Sequence, residues 1–589
     1  MREKWMVRCK NADFFGLAKK YNIDPVVVRV IINRGVDPDG LDKYLNGSLS
    51  DLYDPGLLAD VDKACDIMVK AIDEGTPTRI IGDYDIDGVN STYILYRGLS
   101  KLGANVDYAI PHRITDGYGL SMGLIDDAID DGRKLIVTCD NGIAAFSEIA
   151  YAKEKGLSVI VTDHHEVPFE EGPDGKREIL PPADAVVDPK REDCGYPFPE
   201  ICGAVVAMKV LQVLYARVGR DKDEPLEFLE NAAFATVGDV MELKDENRII
   251  VRYGLERIND TQNPGLRALI NVNDIEKVNA YHFGFVLGPC VNATGRLDSA
   301  MKAMELLSTE DGDRAYELAG ELVDLNSDRK DMTSQGVDAA VEMIEGGDYA
   351  TDHVLVVHLP DIHESIAGII AGRLRERYNK PSLVITGRGE EVKGSGRSIE
   401  AYSMFEEMSR VKELFTKFGG HPMAAGFSLL RSNVDELRRR LNENETLTDE
   451  DLMPVRVIDV NMPVSYITGK LIDDLEVLEP TGNGNSKPVF AQKDAVFVQA
   501  RRIGKQGQYL KFVILTADGK RTSGLLFKDA GEFLEGYEEA YGAEALDELM
   551  VGRGTKKIKF CYYPLINEFR GMKSVEVRVE AYDFQDEQS

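Results

Sequence analysis

Between Thr78 and about Met241, short apolar runs alternate with longer stretches whose apolar residues recur at helical spacing. The runs RIIGDYD, NVDYAIP, KLIVTCD, SVIVTDHH and ADAVVDP read as strands, and YILYRGLSKLG and AAFSEIAYAKEKG as helices between them. Such alternation predicts a parallel sheet with crossover helices, hence an α/β fold. Ligands of open parallel sheets bind outside the carboxyl ends of the strands. Three of these runs end there in acidic or histidine residues.

Arg314 to Ile344 contains no Pro and repeats apolar residues at Leu318, Leu322 and Leu325. As one helix it forms a rigid connector about 45 Å long; a break near Gly336 would instead make two packed helices. HVLVVH and PSLVIT predict strands around the helical AGIIAGRLRERY, a second α/β unit that closes at the Gly-rich FGGHPMAAG. From about Val455, the segments AVFVQARRIG, YLKFVILTAD, KRTSGLLF, KIKFCYYPL and VEVRVEAYDF look like half-buried strands of a small β-barrel.

With 589 residues the chain exceeds what one core can serve, so several domains are expected. No apolar run approaches the roughly 20 residues of a spanning helix, and the opening MREKWMVRCKNADFFG lacks the apolar centre of a signal peptide. A cytoplasmic protein with no membrane partner is expected. Seven scattered cysteines without a CxxC pair suggest reduced thiols rather than disulfides or a zinc site.

The net charge of -31 argues against a protein that coats nucleic acid non-specifically. It is compatible with an enzyme whose cations are confined to one groove. From Pro488 to Ser589 there are 15 Lys and Arg against 16 Asp and Glu, so the acidic excess lies upstream and the tail is free to meet phosphates.

Gly82-Asp83-Tyr84-Asp85-Ile86-Asp87-Gly88 places three carboxylates at alternate positions after an apolar strand. If the chain stays extended, alternation aims them to one side, and packed carboxylates call for a cation. The same spacing opens an EF-hand loop, but no helix leads in and position 12 is Ile94 rather than Glu. Two further strand ends deliver Asp140 and Asp163-His164-His165. Mixed carboxylate and imidazole donors suit Mn2+, or Mg2+ with retained waters, better than zinc. Two such ions can hold a phosphate, activate water and stabilise a leaving oxygen.

The ordered set GDYDIDG, CDNG and DHH resembles the signature of the DHH phosphoesterases, and GGHPMAAG resembles the motif of their DHH-associated domain. IPHRITDGYGL, ICGAVVAMKV, ATVGDVMEL, LGPCVNATGRLDSA, HESIAGIIAGRL, KGSGRSI and LEPTGNGNSKPVF, in that order, are similar to the RecJ branch of the family over nearly the whole chain. The resemblance implies residues 1–310 as a DHH domain with an N-terminal helical extension, 311–345 as the connector helix, 346–450 as the DHH-associated domain and 451–589 as an oligonucleotide-binding (OB) barrel.

By this resemblance Asp85, Asp87, Asp140, His164 and Asp239 are metal ligands and Asp83 is a ligand or a neighbour of them; Asp239 alone would read as a helix cap. Asp140 bridges two divalent cations, Mn2+ or Mg2+, and His165 touches the scissile phosphate or protonates the departing 3′ oxygen. Arg113, Arg296, Ser395 and Arg397 grip phosphates, and His421 faces the centre from the second domain. In the barrel, Arg501, Arg502, Lys505, Tyr509 and Lys511, with Lys556, Lys557, Lys559, Tyr562 and Tyr563, are candidates to hold a single strand, although aromatics there can equally be barrel core.

The resemblance therefore implies a metal-dependent, single-strand-specific DNA exonuclease running 5′ to 3′ in repair and recombination, with a helicase and a single-strand-binding protein as candidate partners. The alternatives are a DHH phosphodiesterase on short oligonucleotides or nucleotide phosphates, and an inactive scaffold in a replication complex. Against the family pattern, Asp188 stands where Asn is usual, Val205 for a second Gly, Cys290 for Arg and Ile362 for Trp. The change at 290 predicts a weaker substrate grip.

Overall fold

The computed structural model describes residues 3–584 except 118, 173, 174, 517, 570 and 571. Two compact units result, one from residues 52–241 and 249–454, the other from Glu3–Asp51, Glu242–Arg248 and the segment from Val455 onward.

The first unit contains a five-stranded sheet, parallel throughout, in the order Val106–Ala109, Thr78–Ile81, Leu135–Cys139, Ser158–Thr162, Ala185–Val187. Every residue of Thr78–Ile81 and Leu135–Cys139 is buried, as expected of parallel strands covered on both faces. Ile81, Ile136, Val159 and Val161 pack with Ile125, Ala128, Ile149 and Ala152 of the helices Met122–Asp130 and Phe146–Glu154. The helices Ile86–Lys101 and Gly203–Arg217 pack on each other and also touch the sheet.

The helix Gly312–Gly346 runs through Gly336 without a break, about 52 Å at 1.5 Å per residue. It is more than a connector. Ala315, Leu318, Ala319 and Leu322 are buried in its first half, and Ala340 joins a core with Ile366, Ile370 and Leu374. Gly336 serves packing there: a Cβ would lie 2.4 Å from Ile370 Cδ1 and 3.1 Å from Ile362 Cδ1. The second sheet of this unit has the order Phe415–His421, Ala424–Leu430, Glu391–Arg397, Ser382–Thr386, Leu355–His358, with the last two parallel. The Gly-rich FGGHPMAAG forms the turn end of the antiparallel pair Phe415–His421 and Ala424–Leu430.

In the second unit the strands Val460–Asn461, Phe490–Ile503, Tyr509–Leu515, Arg521–Leu526, Met572–Phe584 and Lys557–Phe569 form a sheet that closes into a ring, because Phe490–Ile503 also pairs with Lys557–Phe569. Phe490, Phe497, Phe512, Phe533, Phe560 and Tyr562 fill it. Two features depart from expectation. The helices Ala530–Tyr541 and Ala543–Met550 interrupt the run of strands, and Glu3–Asp51 belongs with this ring rather than with a domain of residues 1–310. Val27, Val28, Val30 and Ile31 of the helix Pro25–Asn33 enter the ring's core, and Lys4–Val7 pairs in parallel with Val455–Ile458. Tyr562 is likewise core: it is fully buried and its hydroxyl donates to Met462 O at 2.8 Å.

Among the described residues no helix is long and apolar enough to cross a membrane.

Candidate metal centre and arginine cleft

The three carboxylates of GDYDIDG converge, although not by alternation along an extended chain. The strand ends at Ile81 and the helix begins at Ile86, so Asp85 is its N-cap and accepts from Asp87 N at 2.9 Å and Gly88 N at 3.2 Å. Gly88 is required because a Cβ there would lie 2.4 Å from Asp83 O. Asp87, inside the first turn, accepts from Gly203 N at 2.6 Å and Ala204 N at 2.8 Å, the first amides of the helix Gly203–Arg217.

Asp140 follows the strand Leu135–Cys139 with φ of 59°, a left-handed conformation uncommon for a non-glycine residue and typical of functional sites. Asp163, His164 and His165 follow Ser158–Thr162, and Asp239 is the C-cap of Leu229–Gly238. His164 Nε2 lies 3.1 Å from Asp140 Oδ1, 3.4 Å from Asp87 Oδ2 and 3.8 Å from Asp239 Oδ2. Three overlapping sets, Asp140 with His164 and His165, Asp87 with His164 and Asp239, and Asp83 with Asp85 and Asp140, each bring donor atoms within 4.8 Å of one another.

Burial, then mutual repulsion, drives the electrostatics. Asp83, Asp140 and Asp239 are held well above the usual carboxylate range by burial and by the neighbouring carboxylates, and Asp85 is raised for the same reasons. Burial lowers His164. Burial also opposes a charge on His165, but the hydrogen bond from Nδ1 to Asp163 Oδ1 at 2.8 Å and the surrounding carboxylates lift it to about 9. Asp163 also accepts from Ile143 N at 2.9 Å and His164 N at 2.8 Å. Asp83 Oδ2 and His164 Nδ1 are buried with no hydrogen-bond partner among the described residues. An oxygen-rich donor set with one or two imidazoles, repelling itself and carrying orphaned atoms, fits a hard or borderline divalent cation.

Beside this centre, in the same unit, lies a cleft of about 800 Å³. Its lining includes Tyr84 from the acidic motif and all four expected phosphate-gripping residues, Arg113, Arg296, Ser395 and Arg397. Arg113 lies over the Tyr84 ring at 4.8 Å, Arg296 Nη1 donates to Ser365 O at 2.8 Å, and Arg397 Nη1 donates to Ser395 Oγ at 3.1 Å. Burial, then the charges of Arg113 and Arg329, lowers Arg296 to about 10. Gly295 and Asn292 hold the helix Gly288–Leu297 against the acidic loop: Asn292 Oδ1 accepts from Ile86 N at 2.8 Å, and a Cβ on Gly295 would lie 2.2 Å from Tyr84 O.

Arg329 was not legible in the sequence. It sits half-buried on the long helix, donates to Asn326 Oδ1 at 3.0 Å and is lowered by burial. Cys290, where the resemblance leads to an expected Arg, is buried and accepts from Asn326 Nδ2 at 3.5 Å, and Arg329 puts a cation beside that position. Among the described residues none of Arg113, Arg296, Arg329 and Arg397 forms an ion pair. Lys393, which lies in the KGSGRSI motif, and Lys417 also line the cleft.

Other expected residues lie outside the lining of the cleft. His421 is exposed and outside the cleft lining; Glu166, the residue after the two histidines, is lowered chiefly by the hydrogen bond and charge of Lys190. Val205 is fully buried, and the close approach to Asp140 falls instead to Gly203, whose Cβ would lie 2.9 Å from Asp140 Cβ. In the second unit Arg501, Arg502 and Lys505 are exposed at one end of the strand pair Phe490–Ile503 and Tyr509–Leu515, with Tyr509 half-buried beside them. Lys511 is taken up by Glu576 at 2.9 Å and Lys559 by Asp583 at 2.9 Å.

Residues 77–237 match the DHH family, N-terminal domain, residues 351–445 the DHHA1 domain and residues 458–581 the RecJ OB domain. The chain is 38% identical over 522 residues to the single-stranded-DNA-specific exonuclease RecJ of Bacillus subtilis, spanning 87% of this chain and 64% of that one. It is 32% identical over 584 residues to the RecJ of Salmonella typhimurium, spanning 95% and 96%. The crystal structure of RecJ from Thermus thermophilus in complex with Mn2+ superposes with a TM-score of 0.81 at 26% identity, covering 99% of this chain and 80% of that one. With matching domains in matching order and more than 30% identity along almost the full length of a relative, this chain belongs to the RecJ family within the DHH proteins.

Proposed function

We propose that this chain is a metal-dependent exonuclease that degrades single-stranded DNA from its 5′ end and releases 5′ mononucleotides. One observation carries the reading: a buried carboxylate and imidazole centre shares a unit with a cleft in which Arg113, Arg296 and Arg397 have no acidic partner among the described residues, whereas Arg373 at its edge pairs with Glu376. In a chain of net charge -31, carboxylates are plentiful, and arginines held apart from them await an external anion. A phosphodiester strand supplies such anions beside the metal-ligating groups.

Asp83, Asp85, Asp87, Asp140, His164 and Asp239 are the residues that would hold two divalent cations, Mn2+ or Mg2+, which when bound supply Lewis-acid charge to the phosphate and lower the pKa of water. Arg113, Arg296, Ser395 and Arg397 grip phosphate oxygens and set the strand's position. His165, with Nδ1 engaged by Asp163, donates from Nε2 to the departing 3′ oxygen. The ring of strands, through Arg501, Arg502, Lys505 and Tyr509, binds single-stranded DNA. A cytoplasmic enzyme acting in repair and recombination, with a helicase opening duplex and a single-strand-binding protein presenting substrate, completes the reading; free cysteines support a reducing compartment.

The test is a series of 5′-phosphorylated strands from two to about twenty nucleotides, the range of an OB-fold's site size, labelled at either end and incubated with Mn2+. Long strands should be degraded with the 5′ label released first as mononucleotide, and Asp140→Ala should fold like the parent and cleave at background. Efficient hydrolysis of dinucleotides with almost none of long strands, or undiminished turnover by Asp140→Ala, overturns the reading.

A further inference from the structure

The helical run from Ala280 to Leu297 contains one widened turn: Ala280–His282 and Gly288–Leu297 are α-helical, and Phe283–Leu287 between them is a π-helix. Such turns insert a residue into a helix and recur at functional sites. Here the turn sends Phe283 and Leu287 into the core, 0% and 1% exposed, and leaves Tyr281 and Phe285 facing outward at 61% and 68%. The two exposed rings stack on each other, centroids 5.1 Å apart and planes 23° from parallel.

The pair is firmly mounted. Phe283 beneath it packs against Phe234 at 5.0 Å, and Gly284 lies against Val237, where a Cβ would meet Val237 Cγ1 at 3.5 Å. Both contacts are to Leu229–Gly238, the helix capped by Asp239. Phe285 also lines the arginine cleft, and Arg296 lies on the same helical run, roughly 16 Å further along the axis.

Location selects the ligand. An apolar peptide or a lipid tail would have no use for Arg113, Arg296 and Arg397, unpaired in the cleft that Phe285 lines, and a polyanion without bases would have no use for the rings. A nucleic acid strand uses both, phosphates on the arginines and a base face on the aromatics. We propose that Tyr281 and Phe285 form a stacking platform for a nucleobase of the single strand, further from the strand's end than the phosphate held by the arginines. The proposal rests on the nuclease reading and adds base recognition to it. A base inside a duplex has its faces covered by its neighbours, so the platform favours an unpaired strand.

The experiment measures binding of a 5′-phosphorylated oligothymidine to the full chain without divalent metal, then turnover with Mn2+. Phe285→Ala should bind about tenfold more weakly and Tyr281→Ala/Phe285→Ala more weakly still, within the range alanine substitution of base-stacking aromatics produces. Phe285→Trp should bind like the parent, and Phe285→Leu, which keeps apolar bulk without a π face, should be as weak as Phe285→Ala. Under turnover the loss should lie in KM, with kcat unchanged to within about twofold. A single abasic site walked inward from the 5′ end should weaken the parent at one position and the double variant nowhere. If the parent degrades single strands while the variants bind like it and the abasic walk is flat, the platform is wrong and the nuclease reading survives. If the parent neither binds nor degrades single strands, the nuclease reading fails and the platform with it.

Discussion

Asp188 shows how one residue's surroundings set its chemistry. It is fully buried just after the strand Ala185–Val187; Oδ1 accepts from Lys190 N at 2.8 Å, and Oδ2 has no partner among the described residues. Burial, then the negative charge of Asp163, pushes it up to about 7 from an ordinary 3.8. A carboxyl raised in the folded state binds its proton more tightly there than in the unfolded chain, so ionising it costs stability, and the cost accrues as pH rises from about 4 to about 7. Asp188→Asn, which keeps the shape and cannot ionise, removes that cost. Thermal melts should show the variant gaining on the parent across this window and then holding a constant advantage, at least about 2 °C at pH 8. An advantage that is instead largest at pH 4 would contradict the assignment.

At the scale of elements, two glycines on helices separate site geometry from helix propensity. A Cβ on Gly295 would sit 2.2 Å from the backbone oxygen of Tyr84, which cannot yield as the end of a side chain can, whereas a Cβ on Gly320 of the long helix meets no atom within 4 Å. Gly295→Ala should therefore push the helix Gly288–Leu297 off the acidic loop, at a cost of about 1–3 kcal/mol in stability and on the order of 100-fold in turnover. Gly320→Ala should raise stability by about 1 kcal/mol and leave turnover unchanged. Denaturant melts and nuclease assays on the two variants check both. The contrast explains why the strand ends were legible in the sequence and the helical contacts were not. Apolar runs ending in Asp or His mark strand ends locally, and DHH and GDYDIDG lie at them. Whether Gly295 or Gly336 breaks a helix or admits a neighbour depends on what packs there, Tyr84 in one case and Ile370 in the other.

For the whole molecule, the allegiance of the N-terminal segment has a direct consequence. Val27, Val28, Val30, Ile31 and Leu41 share the core of the strand ring, and Arg34 pairs with Asp459 at 2.9 Å. Residues 455–589 produced alone would expose that core, each lost large apolar side chain forgoing about 1.5–3 kcal/mol of burial. Such a fragment should be protease-sensitive and melt without cooperativity, and mixing it with a peptide of residues 3–51 should restore a cooperative transition by circular dichroism. A fragment that melts cooperatively by itself would show that the N-terminal helices only decorate the ring.

The sequence by itself determined the parallel sheet, the strand-end positions of the acidic and imidazole groups, and the family, because strand periodicity and motif order are properties of neighbouring residues along the chain. Only the tertiary structure decided that Asp85 reaches the centre as a helix cap, that Arg329 of the long helix stands beside Cys290 and Arg296, and that Tyr281 and Phe285 remain exposed while Phe283 and Tyr562 are buried. It also joined Glu3–Asp51 to strands more than 400 positions away. Each of these outcomes turns on which side chains meet across distant segments, and burial, unpaired charge and close backbone approach come into being only when those segments pack.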